Sequence, residues 1–438
     1  MNNSKNNTEI GIKTREHAHS ILFEITTKRR TFDDVLISHK GFNNLNTRDR
    51  AFAYNLVATT LRRLGQIDAI INERLERDLP RSADAARNAL RLGLCQILFL
   101  NVQTHAAVYT SVEISGRRGP QKFKALVNGI LRRVAREGAE TIAKRHPEEQ
   151  NVPDWMQLSW KKTFGPEIAQ KIATTYLSNP PIDLTVRQDP EQWASKLDGK
   201  QIGKVTVRLG GSVQIELVEG FEEGEWWVQD AAAALSAQIL ATGIPGGRVC
   251  DLCAAPGGKT IQLVSAGLDV TAVDKSEDRL LLLQSNLKRL KLEAHIVIQD
   301  ILSWNPPEAF DAVLLDPPCS ATGTIRRHPD IPHLKSPRDV TKLAKLQGKL
   351  LDCAIKYTAP GGILVYSVCS LEAEEGIDQV NKVLSQNPSI EIDQISVDEI
   401  LDFEDCVTKE GCVQTTPAHL SYIGGVDGFF IARLRKKI

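Results

Sequence analysis

The chain contains no apolar run approaching the roughly 18 residues of a membrane-spanning helix, so no membrane partner is expected. Its opening Met-Asn-Asn-Ser-Lys-Asn-Asn is polar and lacks the apolar stretch of a secretory signal. Net charge is missing too. In 438 residues, 54 Lys and Arg meet 54 Asp and Glu, so no global field draws in a polyanion, and nucleic-acid affinity has to come from local patches. The eight Cys are unevenly placed, several within apolar stretches; without a secretion signal they read as reduced thiols of a cytoplasmic protein. Cys250-x-x-Cys253 is half a zinc site with no second Cys or His pair at usable spacing, and no metal is expected. Two phosphate-binding motifs are also absent. Gly258-Lys259-Thr260 ends like a P-loop, but Cys253 stands where its first Gly belongs, and no G-x-G-x-x-G occurs.

What is present begins with helices. Residues 12–140 carry apolar side chains at helical spacing: Ala18, Ile21, Leu22 and Ile25 in Thr14–Lys28, then Phe52, Leu56, Val57, Leu61 and Leu64 in Arg48–Leu64. Ala85–Leu100 and Phe123–Val134 repeat the pattern. Between Ser115 and Arg136 lie Arg117, Arg118, Lys122, Lys124, Arg132, Arg133 and Arg136 with no acid among them. Such a run is either a solvated face or a phosphate-contacting patch. Arg-Asp-Arg-Ala-Phe at 48–52 and Val-Asn-Gly-Ile-Leu-Arg-Arg at 127–133 resemble the NusB-type RNA-binding helical domain.

Glu140–Pro153 reads as a polar linker. A Trp155/Leu158/Trp160 helix follows, then one at Pro166–Leu177, a helix around Glu191–Leu197, and short strands at Leu184–Arg187, Val205–Leu209 and Val213–Leu217. This is a small α+β unit, RRM-like, spanning 154–222. From about residue 226 to 438, strand and helix alternate, the mark of a parallel sheet with helices on both faces. The strands are Arg248–Leu252, Val270–Asp274, Ala294–Asp300, Phe310–Asp316 and Gly362–Ser367, and a late pair ending in Gly428–Leu434 predicts an antiparallel edge. Ligands of such sheets bind at the carboxyl ends of the strands, where Asp251, Asp274, Asp300 and Asp316 fall.

The first of these strands runs into Cys253-Ala254-Ala255-Pro256-Gly257-Gly258-Lys259, a glycine turn opening a helix, which lets the backbone approach a ligand closely. Asp274 ends the second strand, the position of a ribose-binding acid. A turn without phosphate-loop glycines plus a ribose acid suits a nucleoside-type cofactor such as S-adenosylmethionine. Asp316-Pro-Pro-Cys319-Ser follows the fourth strand and Ser367-Val-Cys369-Ser the fifth. A thiol after Asp-Pro-Pro points to covalent chemistry. Carbon 5 of cytosine is a poor nucleophile until a thiolate adds to carbon 6; a second group then removes the carbon 5 proton so that the thiol can leave. Cys369, Asp316 and Cys319 supply that set, and chemistry alone does not say which thiol attacks.

Cys253–Lys259, Asp274, Asp300, Asp316-Pro-Pro-Cys319 and Cys369-Ser370 resemble the motifs of RNA cytosine-C5 methyltransferases. With the NusB-like segment in front and Thr-Ile-Arg-Arg-His-Pro-Asp at 324–330, the chain is similar to the bacterial Fmu/Sun (RsmB-type) 16S rRNA enzymes from about residue 12 onward. The resemblance implies an all-α bundle at 12–140, the small connector, and a Rossmann-like domain at 226–438 binding S-adenosylmethionine. Cys253 to Lys259 and Asp274 would hold that cofactor, Asp300 its adenine end, and Asp316 would lie between cofactor and base. Cys369 would be the nucleophile and Cys319 would assist product release. Arg326, Arg327 and His328 would meet flanking phosphates. The partner implied is 16S rRNA before small-subunit assembly is complete, bound by a monomer. The same chemistry on tRNA, or a non-catalytic RNA-binding factor, are the rivals. Val368 stands where the family usually has Thr, and Gly376 where Asn is common.

Overall fold

The computed structural model describes residues 2–211, 213–244 and 246–438. Two compact units result: Met1–Lys161 with Ala169–Leu177 and Arg327–Lys335, and Lys162–Ile168 with Ser178–Arg326 and Ser336–Ile438.

The first unit is helical. Asn2–Thr26, Thr47–Arg62, Leu64–Glu73, Asp84–Leu98, Thr104–Arg118 and Lys124–Glu137 are its main helices. The predicted stripe Ala18, Ile21, Leu22 and Ile25 is fully buried, as are Leu56, Val57 and Leu61. The helix expected over Arg48–Leu64 breaks at Arg63, and Leu64 opens the next. Asn46 caps the first of these, its side chain accepting from Asp49 N at 2.9 Å.

Glu140–Pro153 is not a free linker. Ala139–Arg145 is helical, Asn151 is buried, and its side chain accepts from Gln66 N at 3.0 Å, while Gln66 Nε2 donates to the His146 carbonyl at 2.6 Å. Polar side chains with fixed backbone partners order this stretch where composition suggested a tether. The helix expected around Trp155, Leu158 and Trp160 is present as Asp154–Phe164, with Met156 and Trp160 buried and Leu158 exposed.

The second unit holds two sheets. The smaller contains β1 (Ile182–Val186), β2 (Lys200–Ile202), β3 (Thr206–Leu209) and β4 (Trp226–Val228), antiparallel in the order β2-β3-β1-β4. A helix, Pro190–Lys196, follows β1, and a 3-10 turn, Ile215–Leu217, stands where a strand was expected at Val213–Leu217. Leu217 is exposed, while Ile215 packs on the small core without joining a strand. Trp193, Trp226, Leu184 and Val207 form the small core. Buried Asp183 takes a bidentate pair from Arg208 (2.7 and 2.8 Å) and also accepts from Ala231 N at 3.1 Å, fastening β1 to the helix Ala231–Gly243.

The larger sheet contains β5 (Arg248–Leu252), β6 (Asp269–Asp274), β7 (His295–Ile298), β8 (Phe310–Leu315), β9 (Thr358–Val368), β10 (Ile390–Ile392), β11 (Val413–Gln414) and β12 (Phe430–Lys436). Its order is β10-β12-β9-β8-β5-β6-β7, with β11 beside β12. Strands β5 to β9 pair in parallel and β12 runs antiparallel to β9 and β10. Central β5 and β8 are almost wholly buried, which explains their near-continuous apolar sequence.

Candidate active site

The site grows from the end of β5. Cys253 adopts φ +61° and Gly257 φ +108°. A Cβ on Gly257 would stand 2.2 Å from Leu283 Cδ1, so the turn needs glycine for both conformation and space. Ala254 N donates to the Val273 carbonyl at 3.1 Å, and Ala255 N to Asp274 Oδ2 at 3.2 Å. Asp274 Oδ1 accepts from Ser276 N at 2.9 Å. The turn and the β6 acid thus form one structure. The helix Gly258–Ser265 starts behind Gly257 with no side-chain cap, leaving its first N–H groups to a ligand. These residues fit a nucleoside-bearing cofactor: an acid at a strand end beside a glycine turn that opens a helix.

Asp251 lies beneath the turn. It is buried, Thr260 Oγ1 donates to its Oδ2 at 2.5 Å, and burial pushes its carboxyl up to about 7. Asp300, expected at the end of a strand, lies past β7 in an exposed turn, its Oδ1 accepting from Leu302 N at 3.0 Å. Gln299 N donates to the Asp274 carbonyl at 3.1 Å, which keeps that turn beside the β6 acid.

The ends of β8 and β9 carry the reactive groups. Lys259 Nζ lies 2.6 Å from Asp316 Oδ2 and 5.2 Å from the centre of the Phe429 ring. Burial opposes the Lys259 ammonium, yet the facing Asp316, Cys369 and Asp251 outweigh it and hold its pKa above the usual range. Lys259 belongs to the turn expected to hold the cofactor, and its ammonium reaches Asp316. The two thiols, 50 residues apart in sequence, meet with Sγ atoms 3.3 Å apart. The hydrogen bond to Cys369, and then burial, raise the Cys319 thiol well above its ordinary value. Cys250 and Cys412 are buried, as a small hydrophobe would be.

Three residues of this region escaped the sequence reading: Glu375, Gln347 and Phe429. Glu375 is wholly buried and accepts from Ser320 and Ser370, the neighbours of the two thiols. The acid pair Glu374-Glu375 was visible only as flanking spacing. The two family departures are absorbed by packing. Val368 is buried in the core cluster and pairs in register with Phe430, and a Cβ on Gly376 would sit 3.0 Å from the Phe430 ring.

The phosphate-contacting residues are redistributed. Arg326 is fully buried and cannot reach a surface phosphate: it pairs with Asp427 (2.9 Å) and Asp230 (3.3 Å) and donates to the Gly424 carbonyl at 2.6 Å. His328 Nδ1 is 3.1 Å from Asp33 Oδ2, and Arg327 is half-buried. In the helical unit, Arg117 pairs with Glu9 (2.9 Å) and Glu16 (3.5 Å), and Lys124 with Glu113 (2.7 Å). Acids from outside the run therefore neutralise part of it; Arg118 and Lys122 are exposed. Among the described residues, no group of three or more His, Cys, Asp or Glu could hold a metal ion, and no helix is long and apolar enough to cross a membrane.

A parallel sheet with an antiparallel edge, a glycine turn after its central strand and an acid ending the next define a Rossmann-like, S-adenosylmethionine-dependent methyltransferase. Comparison with known proteins narrows the class. Residues 238–435 match the family described as 16S rRNA methyltransferase RsmB/F, and residues 12–136 match the NusB family. Ribosomal RNA small subunit methyltransferase B of Cronobacter sakazakii is 31% identical, over 97% of this chain and 99% of the relative. Its namesake in Escherichia fergusonii is 33% identical, over 90% and 92%. Among solved structures, PH0851 superposes with a TM-score of 0.75 at 21% identity over 98% of both chains, a likeness of fold. A methyltransferase homologue from Pyrococcus horikoshii gives 0.51 at 27% identity, over 64% of this chain and 93% of its own. The chain belongs to the RsmB/F family of 16S rRNA methyltransferases.

Proposed function

We propose that the chain methylates carbon 5 of a cytosine in 16S rRNA through a covalent adduct between Cys369 and carbon 6. The observation that carries this reading is the pair of thiols 3.3 Å apart beside the Lys259–Asp316 ion pair. Bound S-adenosylmethionine supplies an electrophilic methyl group. Cys253 to Lys259 and Asp274 would hold it, with Asp300 toward its adenine end. The Cys369 sulfur adds to carbon 6, and the electron pair of the 5,6 double bond moves to carbon 5, which becomes the methyl acceptor. Asp316 faces the ring nitrogen, and Lys259 fixes that carboxylate and adds positive charge where the ring gains electrons. Cys319, once its own proton has passed to water, takes the carbon 5 proton as its thiolate, the double bond reforms and the Cys369 sulfur leaves.

The division of labour between the thiols follows from electrostatics. The hydrogen bond to Cys369, and then burial, keep the proton on Cys319, which disfavours it as the attacking thiolate and fits Cys369 for that role. The target base must be unpaired or flipped out for carbon 6 to be reached. The NusB-like helical unit, with Arg118 and Lys122 exposed, is the RNA-holding part of this reading.

The test is to incubate the protein with methyl-labelled S-adenosylmethionine and, separately, unmodified 16S rRNA, intact small subunits and tRNA, and then identify the labelled nucleoside. 5-Methylcytidine in free 16S rRNA is the expected outcome. Label in tRNA alone would keep the chemistry and discard the substrate. RNA binding without label would leave a non-catalytic factor.

A further inference from the structure

Glu375 is a fully buried carboxylate outside the reacting set. Its two oxygens receive four donor groups, Ser320 N reaching both oxygens (3.2 Å to Oε2). Oε1 accepts from Ser320 N at 2.9 Å and Gln347 Nε2 at 3.1 Å. Oε2 accepts from Ser370 Oγ at 2.6 Å and, at close range, from Ser320 Oγ. Ser320 follows Cys319 in the chain and Ser370 follows Cys369. Gln347 in turn donates to the Pro318 carbonyl at 3.0 Å, on the other side of Cys319. The Glu375 backbone is held as well, its carbonyl accepting from Tyr366 OH at 2.6 Å. A carboxylate receiving four donors has no spare lone pair for substrate, so its action is on the loops.

We infer that Glu375 is the positioning residue that sets the distance between the two thiols, clamping the Asp-Pro-Pro-Cys loop to the Ser-Val-Cys loop through Ser320 and Ser370. The functional consequence rests on the reading that both thiols act in methyl transfer. The clamp itself is a claim about geometry. Ser320 lies 3.1 Å from Ser370 Oγ to Oγ, so the hydroxyls alone could meet, but a shared anion fixes both at once. Two further bonds align the same loops, Gly323 N to the Cys369 carbonyl at 3.0 Å and Leu371 N to Thr322 Oγ1 at 3.0 Å. On the Asp-Pro-Pro-Cys loop these bonds fall three and four residues past Cys319, at Thr322 and Gly323, while Glu375 acts on Ser320 directly beside it.

The experiment uses diamide, a two-electron thiol oxidant, on the full-length protein without RNA. The two thiols lose two protons and two electrons to the reagent and form one Cys319–Cys369 disulfide, read by peptide mass spectrometry. Wild-type protein should cross-link rapidly. Glu375→Ala should cross-link about tenfold more slowly, keep its affinity for S-adenosylmethionine, and lose about 10²-fold in kcat with little change in KM, the scale expected when reacting groups shift by about 1 Å. Glu375→Gln should restore most of both, because its oxygen can face the two N–H donors while its NH₂ donates to the two hydroxyls. Ser370→Ala, which deletes one arm of the clamp and no buried charge, should fall between wild type and Glu375→Ala, and it carries the test if Glu375→Ala does not fold. Wild-type cross-linking rates in Glu375→Ala and Ser370→Ala, with only the melting temperature lowered, would overturn the inference. Methyl transfer by Cys369→Ala would instead overturn the proposed chemistry and leave the cross-linking result standing.

Discussion

The turn after β5 and the loops after β8 and β9 lie along one edge of one sheet and are held by different means. In Cys253–Gly258 the partners are mostly main-chain groups and one nearby acid, with Arg279 donating to the Ala255 carbonyl: Ala254 N on Val273, Ala255 N on Asp274, with positive φ at Cys253 and Gly257. Around Cys319 and Cys369 the partners are side chains from distant segments: Lys259 on Asp316, and Glu375 and Gln347 on the thiol-bearing loops. The first arrangement suits holding a ligand in place, since a backbone cradle is specified by a short motif. The second suits groups that must react in order, since their protonation and spacing are tuned by neighbours the chain brings from elsewhere.

The largest effect should come from the second region. Cys369→Ala should reduce labelled methyl transfer to background, while Cys319→Ala should still form the adduct and trap RNA on the protein as a band that survives a denaturing gel. If both variants turned over, the thiol pair would not be the reacting set. Lys259→Met, which leaves Asp316 without its cation, should lower kcat by about 10²- to 10⁴-fold, the range of a lost proton-transfer or charge-stabilising group. A change confined to cofactor affinity would return Lys259 to the first region.

Arg326→Met sharpens the contrast between apparent and actual basic surface. Removing this buried guanidinium leaves Asp230 and Asp427 without its charge and should cost about 3–5 kcal/mol in urea unfolding. The salt dependence of RNA binding should not change, because a buried group displaces no counterions. Gly257→Ala addresses the first region: with φ at +108° and a Cβ 2.2 Å from Leu283, it should lose about 1–3 kcal/mol and bind S-adenosylmethionine more weakly by calorimetry.

A last comparison concerns pH. Asp251 ionises near 3.8 when unfolded and at about 7 when folded. Between these values the unfolded chain holds fewer protons, so stability falls as pH rises from about 4 to 7 and levels off above. Asp251→Asn should flatten that slope, checked by denaturant midpoints at pH 5 and pH 8. An unchanged slope would mean that the buried acid does not titrate in this window.

Much of the fold was legible because it is written locally. The β5 to β9 strands and the Asn46-capped helix follow from period-2 and period-3.6 patterns and from turn chemistry. The errors have physical causes. Ile215–Leu217 carries strand-like residues but finds no partner strand. Arg117 and Lys124 looked unopposed because their acids, Glu9, Glu16 and Glu113, lie outside the run.

By itself the amino-acid sequence determined the helical and Rossmann-like parts, the glycine turn, the strand-end acids and the two thiols as candidates, since each depends on residues a few positions apart. Only the tertiary structure decided that Cys319 and Cys369 meet across 50 residues of chain, that Lys259 turns to Asp316, that Arg326 is a buried ion-pair centre, and that Glu375 joins the two thiol loops. Burial and the identity of a charge's partner are properties of packed, distant segments, and no local pattern encodes them.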